Sequence, residues 1–296
     1  MALTHLDRLE AESIAILRET VAVCRRPVML YSVGKDSSVM LALARKAFTP
    51  GPLPFPLLHI ATGWDFRAVI AHRDAVVAQH GAELIVRGGA ERLNPFTTPL
   101  ATYSRAMLTD PLRAALVEGG YDAAFGGGRR DEEKARAKER IFSFRARGGG
   151  WDPRHQRPEP WGMLNGHLHE GESLRVFPLS NWTERDVWDY AAREAVPLVP
   201  LYFADVRPTV ERGGMLLMVD DPAEITLRPG EAIVERRVRF RTMGCWPLTG
   251  AHASDAESIE QVIAEVAASR SSERAGRAVD GEASASMEAK KKEGYF

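Results

Sequence analysis

Residues 28–40 read VMLYSVGKDSSVM. An apolar run from Val28 meets Ser32, Gly34, Lys35, Asp36, Ser37 and Ser38, and the chain turns apolar again at Val39. That pattern predicts a buried strand, a polar turn and a helix. The turn has the makings of a phosphate site. Gly34 lets the chain turn tightly and exposes backbone N–H groups. Ser37 and Ser38 open a helix whose N-terminus favours anions. Lys35 adds a compact positive charge.

Two familiar nucleotide loops do not fit. A Walker A loop, G-x-x-x-x-G-K-[ST], would need a glycine at Met29 and a hydroxyl at Asp36 to reach magnesium. A dinucleotide fingerprint needs three spaced glycines, and Gly34 stands alone. What remains is S-x-G-x-D-S between a strand and a helix. By itself it fits either a pyrophosphate-binding loop or an ordinary serine-capped strand–turn–helix.

Outward from this loop, strands and helices alternate. LTHLDRLEAESIAILRETVAVC places Leu6, Leu9, Ile14, Ile16 and Leu17 near one helical face. LLHIAT and AELIVRGG read as strands, with a helix closed by Gly81 between them. DPLRAALVEGG reads as a helix, DAAFGGG as a strand, and DEEKARAKERIFSF as a further helix. Such alternation predicts an α/β fold with a parallel sheet, helices on both faces, and ligands at the carboxyl ends of the strands. SVGKDSS, ATGW and GGGRRDEEK all fall at such ends. Arg129 and Arg130, beside Gly127 and Gly128, suit a tetrahedral oxyanion. The later charges, from Glu132 to Arg140, read as a solvated helix face.

The second half is less regular. The stretch from Gly148 to Glu172 has the length and composition of a lid, a binding segment or a mobile loop, and its His155, His167 and His169 read as solvent or lid residues. Thr183 and Asp186 form a capping box ahead of a helix. MLLMVDD and EAIVERRVRF suggest a small β element, and AESIEQVIAEVAASR a last helix. The polar end cannot order itself alone. The boundaries are 1–204 for a nucleotide-binding catalytic domain and 205–296 for a C-terminal extension.

Composition bounds the class. The chain has 296 residues, 45% hydrophobic and 27% charged, with a formal net charge of -1. No basic field favours nucleic acid. Only Cys24 and Cys245 are present, too few for a disulfide framework, and no secretory or membrane-spanning run is evident. A cytoplasmic protein is expected.

YSVGKDSSVMLALARKAF, PFPLLHI, DAAFGGGRRDEEKARAKER, VFPLSNWTERDVW, PLVPLYFA, VRFRTMGCWPLTG and KKKEGYF together resemble the small-subunit family of bacterial sulfate adenylyltransferases. These are enzymes of the PP-loop superfamily. The resemblance covers essentially the whole chain. It implies a PP-loop fold, and the reaction of ATP with sulfate to give adenosine 5′-phosphosulfate and pyrophosphate, the first step of sulfate assimilation. It implies magnesium with the ATP, and a large partner subunit that hydrolyses GTP. Ser32, Gly34, Lys35, Asp36, Ser37 and Ser38 would hold the leaving pyrophosphate. Gly127, Gly128, Arg129 and Arg130 would hold sulfate or the α-phosphate, with Lys35, Arg129 and Arg130 the catalytic cations. Ala61, Thr62 and Gly63 would lie at the nucleotide.

One departure stands out. The family pattern at the second strand end is D-T-x-W, and here Ala61 replaces the aspartate. The expectation is weaker nucleotide binding unless another group compensates. A phosphosulfate reductase would share the fold but needs redox cysteines. GCWPLTG offers Cys245 with Leu248 where a second thiol would stand. A third reading is a subunit that only regulates the GTPase. The loop Gly148–Glu172 and the C-terminal tail are the candidate partner surfaces.

Overall fold

Pro27–Leu30 forms β1, near the middle of a six-stranded sheet, with its first three residues buried. The computed structural model describes residues 3–132, 136, 139–147 and 149–269. The expected polar tail (271–296), Arg270 of the expected last helix, Gly148 of the expected loop, and Glu133, Lys134, Ala135, Ala137 and Lys138 of the expected helix lie outside them.

The sheet adds β2 (Leu57–Ala61), β3 (Leu84–Gly88), β4 (Ala123–Phe125), β5 (Phe142–Arg145) and β6 (Ser173–Val176), in the order β3-β2-β1-β4-β6-β5. β1 pairs in parallel with both neighbours, Met29 opposite Leu57 and Val28 opposite Ala124. The strand order reverses direction between β1 and β4, which opens a crevice at their carboxyl ends.

The helices are α1 (His5–Val23), α2 (Lys35–Phe48), α3 (Arg67–His80), α4 (Leu100–Ser104), α5 (Asp110–Glu118) and α6 (Glu184–Arg193). Both sheet faces are covered, so the strands read as continuous apolar runs. Met29, Leu57 and Phe125 join Leu17 of α1, Leu43 of α2 and Trp188 of α6 in the larger core. Val28, Leu58 and Ala124 meet Leu112, Ala115 and Leu116 of α5 on the other face. Each fully buried side chain of this kind contributes about 1.5–3 kcal/mol. α6 starts at the expected capping box: the Thr183 hydroxyl accepts from the Asp186 amide, and the Asp186 carboxylate accepts from the Thr183 amide. Gly81 closes α3 in the left-handed region, φ 58°.

After α6 the chain forms a closed barrel of β7 (Asp205–Arg212), β8 (Met215–Met218), β9 (Val234–Arg239) and β10 (Gly250–Ala253), followed by α7 (Ile259–Ala268). The barrel shares the larger core of the sheet. Phe66 packs on Phe240 with ring centroids 5.0 Å apart, and Trp64 on Trp246 at 5.7 Å.

Two expectations are corrected. The last three residues of the expected helix, Phe142 to Phe144, belong to the strand β5, antiparallel to β6. Phe142 and Phe144 alternate with Ser143 and Arg145, and this two-residue period prevails over the helical charge run before it. The stretch after it is more than a loose loop. Its Glu159 carboxylate accepts from the Phe142 amide, and Gln156 bonds both the amide and the carbonyl of Phe144. These side chains cover an edge strand that would otherwise offer unpaired backbone. His155, His167 and His169 are exposed. No described helix is long and apolar enough to cross a membrane.

Candidate active site

The turn from β1 to α2 carries backbone strain, though not where a glycine would suggest. Gly34 is extended (φ -70°, ψ 164°) and caps α2, while Val33 takes the positive φ, 64°. A β-branched residue resists that region. Val33 is fully buried, and the core holds it there. The tight turn expected of Gly34 is therefore made one residue earlier. A Cβ on Gly34 would lie 3.5 Å from both the Ser32 and Tyr202 hydroxyls, which is ordinary contact without a clash.

Around this turn lies a cavity of about 360 Å³, bordered by Ser32, Gly34, Lys35, Asp36 and Ser37 from the loop and by Gly126, Gly127 and Gly128 after β4. The Ser37 hydroxyl donates to the Gly34 carbonyl at 2.9 Å and lies 3.3 Å from the Ser32 hydroxyl. Ser38 sits behind them, 4% exposed and outside the cavity wall. The Lys35 amide donates to the Tyr202 hydroxyl at 2.8 Å.

Charge concentrates here. Lys35 Nζ lies 3.1 Å from Asp36 Oδ2, and Arg129 Nε 2.6 Å from Asp36 Oδ1. Burial pushes the Asp36 carboxyl up, but the Lys35 and Arg129 charges outweigh it and hold the group well below the usual carboxylate range. Arg136 also borders the cavity, 8% exposed, 3.3 Å from Glu132 and 3.8 Å from Glu139. Glu139 in turn pairs with Arg145 at 3.1 Å. Burial, then the nearby Arg145 charge, push the Arg175 guanidinium down to about 9. The buried cations Lys35 and Arg129 both meet Asp36, Arg129 also lies 3.9 Å from Asp131, Arg136 meets Glu132 and Glu139, and Arg145 meets Glu139.

The two adjacent arginines part company. Arg129 turns inward to Asp36, whereas Arg130 donates to the Asn181 side chain at 2.6 Å and the Glu139 carbonyl at 3.3 Å. The structure brings Arg129 to the loop through Asp36, and neither arginine is part of the cavity wall itself.

At the end of β2, Thr62 borders the cavity and Ala61 and Gly63 do not. Ala61 is occupied in pairing with Gly88 of β3. Asp65, four residues on, does line the cavity, and its Oδ2 accepts from the Thr62 amide at 2.9 Å. The far wall comes from the segment between β9 and β10, Thr242 to Cys245 with Leu248 and Thr249. Cys245 is buried, which pushes its thiol up, and it bonds the Thr62 and Tyr103 hydroxyls at 3.4 Å each. Sequence reasoning did not single out Tyr202, Asp65, Tyr103 or Arg136 as cavity groups. PLVPLYFA and GCWPLTG stood out as segments, but nothing in them indicated which side chain would face the loop.

The chain matches the phosphoadenosine phosphosulfate reductase domain over residues 26–251. It is 61% identical over 297 residues to a protein of Myxococcus xanthus named sulfate adenylyltransferase subunit 2, covering 99% of this chain and 97% of that one. A protein of the same name from Photorhabdus laumondii is 59% identical, covering 99% and 98%. Among solved structures, a phosphoadenylyl-sulfate reductase from Candida auris in a phosphate complex aligns with a TM-score of 0.47 and 19% identity, over 68% of this chain and 92% of that one.

Proposed function

We propose, for a chain that belongs to the phosphoadenosine phosphosulfate reductase domain family and within it to the sulfate adenylyltransferase subunit 2 group, that it adenylylates sulfate. ATP and sulfate become adenosine 5′-phosphosulfate and pyrophosphate. The observation that carries this reading is the cavity at the strand-order reversal, where Lys35 and Arg129 converge on Asp36 at the N-terminus of α2. It suits two anions meeting in one cavity.

A sulfate oxygen attacks the α-phosphorus. An S–O–P linkage forms, the bond from the α-phosphorus to the bridging oxygen breaks, and pyrophosphate leaves with the electron pair. Sulfate is already ionised, so no general base is required. Catalysis then rests on positioning and on charge stabilisation. Ser32, Gly34, Lys35, Asp36 and Ser37 form the pyrophosphate end, with Ser38 behind them. Asp36 takes the part of an anchor that aims Lys35 and Arg129. Gly127, Gly128 and Arg129 form the sulfate end, which Arg130 joins only by exchanging Asn181 for the ligand.

Magnesium, brought in with ATP, would draw off charge from the phosphates. Asp36 and Glu132 are engaged by cations, and no cluster of three metal-ligating groups occurs among the described residues. That donor set fits an ion held mainly by the phosphates. The phosphosulfate anhydride is uphill, and we assign the driving force to GTP hydrolysis in a large partner subunit, coupled through two conformational states. The words "subunit 2" in the relatives' name support a multi-subunit enzyme.

The test is pyrophosphate release from ATP by the chain alone and with a matching GTPase subunit, with and without sulfate and GTP. Release that needs sulfate and disappears in Lys35→Ala supports the reading. A complex that forms but releases nothing overturns it in favour of a regulatory subunit.

A further inference from the structure

Two hydrogen-bond acceptors border the cavity with no protein donor to match them. His59, on β2, is 3% exposed, and its Nδ1 lies 2.9 Å from the Tyr31 carbonyl. A carbonyl only accepts, so Nδ1 carries the proton and Nε2 presents a lone pair. Nε2 is buried and has no hydrogen-bond partner. Burial lowers the imidazole pKa, which favours the neutral ring.

Asp65 is the second. Its Oδ2 accepts from the Thr62 amide and hydroxyl, at 2.9 and 3.3 Å, and its Oδ1 accepts from none of the described residues. The other cavity carboxylates, Asp36 and Glu132, each meet a cation, and Asp65 meets none among the described residues. A bare carboxylate in a cavity built for anions opposes its own ligand, and an unmatched buried acceptor costs about 1–3 kcal/mol. Both penalties lift when the ligand brings donors of its own.

Position narrows the choice. The His59 ring rests on the carbonyl of Tyr31, the residue before Ser32, and β2 lies one strand spacing, about 4.8 Å, from β1. In ATP the group next to the phosphates is the ribose, whose vicinal hydroxyls are two donors side by side. We propose that Asp65 and His59 are the acceptor pair for the ribose hydroxyls of the nucleotide, with Asp65 supplying from the following turn the carboxylate that Ala61 lacks. This rests on the ATP reading above.

Calorimetric titration of the full-length chain with ATP, 2′,3′-dideoxy-ATP and pyrophosphate tests it. Asp65→Asn keeps an oxygen to accept from Thr62 and removes the charge. Losing a carboxylate strengthens anion binding in general, so the expected result runs against that trend. ATP binding weakens about tenfold, the scale of one hydrogen bond to a charged group, while dideoxy-ATP and pyrophosphate bind as tightly as before or more so. His59→Gln gives the same split, and adding Ala61→Asp to Asp65→Asn restores ATP binding. Unchanged ATP affinity in Asp65→Asn, or equal losses for ATP and dideoxy-ATP, overturns the proposal and leaves Asp65 a turn cap or a metal contact. Wild-type protein that binds pyrophosphate but not ATP overturns the ATP reading itself.

Discussion

The amide of Lys35, first residue of the helix after the phosphate loop, donates to the Tyr202 hydroxyl across 167 positions of sequence at 2.8 Å. A phosphate bound at the N-terminus of α2 would compete for this N–H. Tyr202→Phe leaves a buried N–H unsatisfied in the free protein, a loss of about 1–3 kcal/mol. A phosphate that takes over this N–H restores it. The variant should therefore melt lower alone and show a larger rise in Tm with pyrophosphate than the wild type does. Equal rises in the two proteins would mean that Tyr202 keeps the amide when ligand binds.

Arg129 meets the loop through Asp36, so its role depends on geometry as well as charge. Arg129→Lys keeps the charge but cannot reproduce the guanidinium fork. Turnover should fall roughly 10²–10³-fold in this variant, as when a positioned transition-state donor is lost. Steady-state pyrophosphate release checks it, and wild-type turnover would remove Arg129 from the catalytic groups.

A Cβ on Gly128 would stand 2.2 Å from Arg136 Nη1, the far end of a flexible side chain. Gly128→Ala displaces the guanidinium rather than the backbone. The sulfate KM should rise about tenfold, the worth of one charged hydrogen bond, with little change in Tm. An unchanged KM would place Arg136 outside the sulfate path.

Both cysteines are buried, and burial pushes the Cys24 thiol up to about 12 and the Cys245 thiol above its ordinary value. Thiols so placed are poor nucleophiles. Iodoacetamide at pH 8 should leave the native mass and the activity unchanged and add two groups only after unfolding. Activity lost on labelling would revive a thiol mechanism of the reductase kind.

His252 is held down to about 4, first by burial and then by the Arg239 charge. The folded pKa lies below the unfolded one, so the unfolded chain takes up the proton first. The stabilisation is complete above about pH 6.5 and is lost as pH falls toward 4. His252→Gln should flatten the fall in Tm across that window, and a curve as steep as the wild type's would assign the fall to other groups.

What the sequence disclosed was mostly local. The loop, the flanking strand and helix, and the Thr183–Asp186 capping box each depend on residues within one or two turns of chain. The swing of the positive φ from Gly34 to Val33 was illegible because the burial of Val33 enforces it. The parting of Arg129 and Arg130 was hidden because the two enter a turn, and distant partners, Asp36 and Asn181, decide where each goes. β5 was hidden by the charge run preceding it, whose helical spacing invites extension through Phe142. Tyr202, Asp65 and Arg136 lay beyond reach because their placement comes from tertiary packing.

One wall of the cavity, Thr242 to Thr249, is made more than 200 residues after the phosphate loop, between the last two barrel strands. A ribosome delivering this chain completes the sheet long before it delivers that wall. Nucleotide binding therefore arrives as a late event of synthesis, and a chain interrupted after α6 holds a phosphate loop with no enclosed chamber above it. The site is enclosed only once the barrel has been made.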